Sequence, residues 1–170
     1  RNTAPAIALA AMCVRDTIDE NASMLVMPAD HLVEDLRNFE ASVKEALELS
    51  NKGFLVTFGI HPTHAETGFG YIRQGEVLSK SGGFRGAEFV EKPDEATAVK
   101  YLESGEYHWN SGMFCFRAGA FLDSLKQHAP DVFEAASRVW EATDKSSSPI
   151  ELPAEEFAEC PSISVDYAVM

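Results

Sequence analysis

The sequence is poor in the features that mark several large classes of protein. Its 170 residues include 3 cysteines, which lie far apart and form no C-x-x-C pair, so a thiolate zinc site is not expected. No apolar stretch approaches the roughly 20 residues that a membrane-spanning helix needs. With 14 basic against 27 acidic residues, the chain lacks the positive charge that nucleic-acid binding requires. We therefore expect free thiols in the reducing cytoplasm, no nucleic-acid partner and no membrane partner.

What the sequence does contain is the composition of an ordinary folded domain. Hydrophobic residues make up 45% and charged residues 24%, close to the globular average, which excludes extensive disorder. The chain starts at Arg1 rather than at a methionine, and it stops at Met170 directly after an apolar run. We interpret both as cut ends, and residues 1–170 as the core part of a single domain.

Short apolar runs alternate with segments of helical periodicity, which predicts an α/β domain. The unbroken apolar run Met24–Met27 is typical of a strand that is buried on both faces of a parallel sheet. A helix over Asp35–Ser50 and a strand over Phe54–Ile60 follow, and this order implies a right-handed parallel crossover. Other helices and strands are predicted at 4–14, 88–93, 94–105, 111–117, 120–128 and 132–143. The alternation favours a three-layer fold around a mixed, mostly parallel sheet.

The first candidate functional residue is Asp30, which follows the first predicted strand. Open α/β sheets bind their ligands at the carboxyl ends of strands. A carboxylate at that place can hold Mg²⁺ beside the oxygens of a phosphate. The alternative is that Asp30 is simply the N-cap of the next helix.

Two further segments contain residues suited to ligand binding, one through its glycines and the other through its charged side chains. Gly68 and Gly70 permit a backbone to approach a ligand, although ordinary turns also contain this spacing. In the segment 89–93, Glu91 could accept hydrogen bonds from sugar hydroxyls while Lys92 neutralises a phosphate. The alternative is an exposed charge pair, because neighbouring residues of a regular strand point to opposite faces.

Polar residues near both ends of the chain complete the candidate set. Asn110 offers a donor and an acceptor, which suits neighbouring hydroxyls, but its segment could also be a plain turn before a buried strand. Asn2 and Thr3 begin a predicted helix, whose N-terminus can attract an anion or merely be capped.

The order and wording of these segments carry more information than any one of them. Together they closely resemble the mannose-1-phosphate guanylyltransferase family over essentially the whole chain, in its bacterial form, including the long form fused to a phosphomannose isomerase domain. The segments that carry the resemblance are Arg1–Ala6, Met27–His31, Phe58–Ile60 with Thr67–Ile72, Phe89–Pro93, Trp109–Phe114 and Ser164–Met170. The segments that separate the chain from glucose-1-phosphate nucleotidyltransferases are Trp109–Phe114 and Ser164–Met170. Those enzymes share the Glu-Lys-Pro sequence found in Phe89–Pro93.

The resemblance implies a Rossmann-like nucleotidyltransferase fold that here lacks its first strand and its Gly-rich signature loop. It implies a reaction, with Mg²⁺ as cofactor, in which GTP and mannose 1-phosphate give GDP-mannose and pyrophosphate. Asp30 is then a catalytic residue and Mg²⁺ ligand, and Lys92 a catalytic residue that contacts the sugar phosphate. The residues implied to hold the sugar are Gly70, Glu91 and Asn110, and those implied to lie near the nucleotide are Asn2, Thr3 and Ala4. The resemblance assigns no role to Asp166.

Two expectations follow for the chain as given. Since the signature loop and a second metal-binding aspartate lie outside it, we expect it to be inactive by itself. Two alternatives for the parent protein stay open: transfer to another sugar 1-phosphate, and a non-catalytic sugar-nucleotide-binding module. An exposed apolar edge beside Met24–Met27 predicts either self-association into a homo-oligomer or coverage of that edge by segments of the parent protein outside the given sequence.

Overall fold

The computed structural model describes residues 2–79 and 82–169. Arg1 and Met170, which end two of the segments that carry the resemblance, lie outside the described residues. The helices and strands are α1 (Thr3–Thr17), β1 (Ser23–Val26), α2 (Leu36–Asn51), β2 (Val56–Ile60), β3 (Gly70–Val77), β4 (Phe84–Glu91), α3 (Glu95–Ser104), β5 (Tyr107–Arg117), α4 (Ala118–His128), α5 (Pro130–Ala142), α6 (Ala154–Glu159) and α7 (Val165–Val169). The described residues fall into two compact units, one of residues 2–24, 53–55 and 116–169, the other of residues 25–52, 56–79 and 82–115.

The first unit is mainly helical. α1 packs against α4 and α5, and the rings of Phe116 and Phe121 stack with centroids 4.6 Å apart. Trp140 Nε1 donates to Asp16 Oδ2 at 2.7 Å. Hydrogen bonds from Arg15 and from Trp140 hold the pKa of Asp16 below its ordinary value. The carboxylate therefore ties the end of α1 to α5 in its charged form.

The second unit contains the sheet, with α2 and α3 packed on it. The strand order is β1–β5–β3–β4, and β2 also pairs with β5. The α/β class is confirmed, but the mostly parallel sheet is not, because the β2–β5, β3–β4 and β3–β5 ladders are all antiparallel. For β3 and β4 the reason is the short connection 78–83, whereas a parallel crossover needs a dozen or more residues.

The prediction that the first strand is buried on both faces is wrong. β1 forms, but its residues are half-buried or exposed, and Leu25 is 38% exposed. The physical reason is that β1 is the end strand of the order β1–β5–β3–β4. In this order it pairs with a neighbouring strand along one edge and not along the other. The predicted helix at 35–50 is confirmed as α2, and both β1 and β2 pair with β5.

Two apolar clusters hold the second unit together. One lies beneath α2, and its buried members are Ala46, Phe58, Met113 and Cys115. The other lies beneath α3, and its buried members are Tyr71, Ala98 and Trp109. Cys13 is half-buried, Cys115 and Cys160 are buried, and no disulfide joins them within the described residues. Across the described ranges, no helix combines the length and the apolar character that a bilayer crossing demands.

The hydroxyl of Tyr71 is the polar anchor of the second cluster, and its removal gives a stability prediction. The ring is fully buried, and the hydroxyl donates to Glu66 O and accepts from Glu66 N, both at 2.9 Å. Tyr71→Phe leaves both backbone groups without this partner, so we expect a loss of about 1–3 kcal/mol in the free energy of unfolding. Urea denaturation followed by tryptophan fluorescence measures the loss.

The matched control is Tyr101→Phe in the same cluster. The Tyr101 hydroxyl makes no hydrogen bond to the part of the chain that the structure describes, so this variant should unfold as the wild type does. Equal losses in the two variants would contradict the assignment of the stabilisation to the Tyr71 hydrogen bonds.

Candidate functional site

Gly70, the first residue of β3, is the point at which three of the predicted binding residues meet. It is buried and pairs with Glu91 across the β3–β4 ladder. A Cβ placed on Gly70 would lie 2.6 Å from Glu91 Oε2, 3.1 Å from Phe89 Cζ and 3.4 Å from Asn110 Cβ. The missing side chain therefore leaves the space in which the Glu91 carboxylate lies. The structure brings Gly70, Glu91 and Asn110 together.

Lys92 extends this group with a positive charge. Its Nζ lies 3.3 Å from Glu91 Oε1, and its side chain is 63% exposed, against 22% for that of Glu91. Lys92 directly follows the last residue of β4 and has a φ of +46°, so the strand alternation ends there. Its N–H donates to Phe69 O at 3.2 Å, which holds this turn. Neighbouring residues can thus place a shielded carboxylate and a solvated ammonium side by side.

Asn110 lies inside β5, so the alternative in which its segment is a turn before the strand is wrong. Between the pairs Thr57–Phe114 and Gly59–Asn110, an advance of two residues on β2 corresponds to four on β5. β5 therefore bulges at 111–113, and Gly112 has a φ of +68°, a conformation that glycine adopts without strain. The Gly112 N–H donates to Asn110 Oδ1 at 3.2 Å. The bulge thus contacts and orients the Asn110 side chain.

Asp30 lies in the turn after β1 and is exposed. It does not cap the next helix, because Asp35 is the N-cap of α2 and its Oδ1 accepts from Asn38 N at 3.1 Å. Two residues before Asp30, Pro28 reaches the β5 bulge, since a Cβ on Gly112 would lie 3.6 Å from Pro28 Cγ. The turn that carries Asp30 is therefore next to the strand that carries Asn110.

Asp30 fits Mg²⁺ as one ligand rather than as part of a complete protein site. Among residues 2–79 and 82–169, no three side chains of the metal-binding types come together. Mg²⁺ commonly takes one or two carboxylates and completes its shell with phosphate oxygens and water. An exposed carboxylate after a strand meets that pattern.

Asn2, Thr3 and Ala4 lie in the first unit, at the start of α1. Asn2 is the N-cap and accepts from Thr3 N at 2.8 Å, while Thr3 Oγ1 accepts from Val165 N at 2.9 Å. Ala4 is buried, and its N–H donates to Ile163 O at 3.2 Å. These bonds fix the start of α1 against the segment that leads into α7.

Sequence reasoning did not single out His108, which lies close to two other residues of the sheet. A Cβ on Gly59 would lie 2.8 Å from His108 Cβ, and Gln74 Nε2 lies 3.2 Å from His108 Nε2. Burial, and to a lesser extent His61, lowers the pKa of His108, which favours the neutral ring at pH 7. The signal available in the sequence was the alternation of a strand, because residues two apart, such as His108 and Asn110, lie on the same face. Phe69, the neighbour of Gly70, is 45% exposed and contacts Trp109 edge-on.

Comparison with known proteins identifies the family. The model of the nucleotidyl transferase family matches residues 1–152. The chain belongs to the nucleotidyl transferase family. It is 49% identical over 171 residues to the mannose-1-phosphate guanylyltransferase RfbM of Salmonella typhimurium, and 49% identical over 174 residues to the mannose-1-phosphate guanylyltransferase of Escherichia coli K12. Each match covers 100% of the chain and 36% of the relative, so the chain spans about a third of the length of these relatives.

Solved structures share the nucleotidyl transferase fold of the chain. Mannose-6-phosphate isomerase of Helicobacter pylori superposes with a TM-score of 0.88 at 37% identity, covering 100% of the chain and 64% of that protein. The mannose-1-phosphate geranyltransferase of Thermus thermophilus gives a TM-score of 0.84 at 36% identity, covering 100% of the chain and 47% of that protein. The predicted nucleotidyltransferase fold is confirmed.

A methyl group on Gly70 tests how tightly this candidate site is packed. Gly70→Ala would overlap the Glu91 carboxylate and the Phe89 ring, so we expect Glu91 to be displaced and its ion pair with Lys92 to break. Overpacking of this kind costs about 1–3 kcal/mol of stability. A crystal structure of the variant and its urea denaturation measure the two effects.

Gly86→Ala is the matched control, because Gly86 lies in the same hairpin and, among the described residues, a Cβ there would meet Ile72 Cγ2 alone, at 3.9 Å. The account fails if Glu91 keeps its position in Gly70→Ala, or if both glycine variants are equally stable.

Proposed function

We propose that the protein to which this chain belongs transfers the guanylyl group of GTP to α-mannose 1-phosphate, giving GDP-mannose and pyrophosphate. The observation that carries the proposal is the meeting of Glu91 and Asn110 at the bare backbone of Gly70, with Lys92 beside them. The relatives that bear the guanylyltransferase name, at 49% identity over the length of the chain, support it.

The sugar ring binds at Gly70 in this proposal. A carboxylate is an acceptor for hydroxyl groups, and charge-assisted hydrogen bonds of this kind are about twice as strong as neutral ones. Glu91 is largely shielded from water, which strengthens its bonds to a bound hydroxyl. Asn110 adds an amide next to it, and Gly70 leaves room for the ring.

The phosphate of the sugar binds at Lys92. The ammonium is a compact charge on a flexible stem, and it stays accessible although Glu91 lies 3.3 Å from it. A ligand that carries hydroxyls at one end and a phosphate at the other therefore matches the neighbouring carboxylate and ammonium. This match favours a sugar 1-phosphate over a neutral sugar.

The reaction needs little covalent work from the protein. An oxygen of the sugar phosphate attacks the α-phosphorus of GTP in line, and pyrophosphate leaves from the opposite side. Lys92 holds the attacking phosphate and offsets its charge, while Glu91 and Asn110 fix the sugar, so the chain supplies positioning and electrostatic stabilisation. Asp30 would hold Mg²⁺, which when bound neutralises phosphate charge.

Asn2, Thr3 and Ala4 complete the proposal as the residues nearest the nucleotide. Asn2 and Thr3 are exposed, whereas Ala4 is buried and uses its N–H within the chain. Any contribution of Ala4 therefore acts through the position of α1. We also propose a cytoplasmic location, in keeping with cysteines that form no disulfide within the described residues, and a homo-oligomeric parent protein.

The full-length protein with Lys92→Ala tests the function and the phosphate assignment together. We expect the wild type to form GDP-mannose from GTP and mannose 1-phosphate, and to prefer mannose over glucose 1-phosphate. Loss of a charge-assisted contact should raise the KM for mannose 1-phosphate roughly 10- to 100-fold and leave the KM for GTP unchanged. Steady-state pyrophosphate release measures both constants.

Lys100→Ala, an exposed lysine on α3, is the control and should match the wild type. An unchanged KM for mannose 1-phosphate in Lys92→Ala would remove the assignment of Lys92. Turnover with glucose 1-phosphate alone would favour another sugar nucleotide, and sugar-nucleotide binding without turnover would favour a non-catalytic module.

Asp30→Asn in the full-length protein tests the metal-binding role. The amide removes the negative charge that Mg²⁺ requires, so kcat should fall far more than the affinity for GTP, by at least about 100-fold. Asp35→Asn is the control, because asparagine also serves as an N-cap and α2 keeps its start. Equal losses of kcat and nucleotide affinity in Asp30→Asn would count against a metal ligand.

A further inference from the structure

Thr57 of β2 is not among the residues of the proposed site, yet its hydroxyl contacts Asn110, which is. Thr57 Oγ1 lies 3.2 Å from Asn110 Oδ1 and 3.3 Å from Met113 O. Asn110 is the residue before the bulge of β5, and Met113 is the last residue of the bulge. One half-buried hydroxyl therefore contacts both.

The orientation of the Asn110 amide follows from its other neighbour. The Gly112 N–H lies 3.2 Å from Asn110 Oδ1. A backbone N–H can only donate, so the amide must turn its carbonyl oxygen, and not its NH₂ group, toward Gly112. The same oxygen faces Thr57. Because a carbonyl oxygen only accepts, the Thr57 hydroxyl is the donor in that contact.

The bulge itself is closed by a further hydrogen bond. Met113 N donates to Ser111 Oγ at 3.1 Å, and Ser111 is buried. Thr57 shares its single proton between Asn110 Oδ1 and Met113 O. Asn110, the bulge and Thr57 therefore form one hydrogen-bonded unit, in which the Thr57 hydroxyl is the link to the neighbouring strand.

We infer that Thr57 is a positioning residue that fixes the Asn110 amide and so sets the sugar specificity of the site. Epimeric sugars differ in the direction of one hydroxyl. An amide that can turn over presents either its oxygen or its NH₂ group and tolerates both epimers, whereas an amide held by Thr57 and Gly112 presents one face. Thr57 acts through Asn110 and does not touch the sugar. The inference rests on the proposed function.

The test uses the full-length protein with Thr57→Val, which keeps the shape and removes the hydroxyl, and Thr57→Ser, which keeps the hydroxyl. In Thr57→Val we expect the KM for mannose 1-phosphate to rise roughly three- to tenfold, as for the loss of one hydrogen bond, with the KM for GTP unchanged. The preference for mannose over glucose 1-phosphate should fall as well. Thr57→Ser should restore both values.

Three results would overturn the inference. The first is an unchanged KM and sugar preference in Thr57→Val. The second is an equal rise of both KM values together with a lower melting temperature, which marks a structural role. The third is failure of Thr57→Ser to restore the wild-type values. If Thr57→Val does not fold, the comparison of Thr57→Ala with Thr57→Ser takes its place.

The outcome is separable from that of the proposed function. If the wild type shows no turnover, the proposed function fails, and calorimetric titration with mannose 1-phosphate then replaces kinetics. Weaker binding to Thr57→Val than to Thr57→Ser would support the role of Thr57. Equal binding, or no binding to the wild type, would overturn it.

Discussion

The site depends on the absence of a side chain at Gly70. A Cβ on Gly70 would lie 2.6 Å from Glu91 Oε2, so any larger residue at position 70 must displace the Glu91 carboxylate. Because the two residues are register partners on β3 and β4, the backbone ladder holds the carboxylate at that place. In the proposed site, Lys92 and Asn110 bind the same ligand as this carboxylate.

Two departures from regular strand geometry shape the proposed binding site. The φ of +46° at Lys92 ends the alternation of β4 and brings its ammonium to the side of Glu91. The φ of +68° at Gly112 allows the bulge of β5, whose backbone N–H holds the Asn110 amide. Irregular backbone next to functional residues is common, because a bulge re-aims a side chain that a straight strand would point elsewhere.

Local signals in the sequence predicted the helices well. The N-cap Asp94 and the left-handed Gly105 bound α3 where the sequence indicated, because capping depends on residues within one turn. The direction of the strands was not predictable in this way. The ladders join residues far apart in the chain, and Thr57 contacts Asn110 across 53 positions, so no local pattern reports them. The candidate residues were singled out by their chemistry and given their roles by a family resemblance, and the sheet brings three of them together.

The most direct test of the account is a crystal structure of the full-length protein with mannose 1-phosphate. The account predicts the sugar ring beside Gly70, its hydroxyls within hydrogen-bond distance of Glu91 and Asn110, and its phosphate on Lys92 Nζ. A sugar phosphate bound away from Gly70, with Glu91 and Lys92 still paired only with each other, would contradict it.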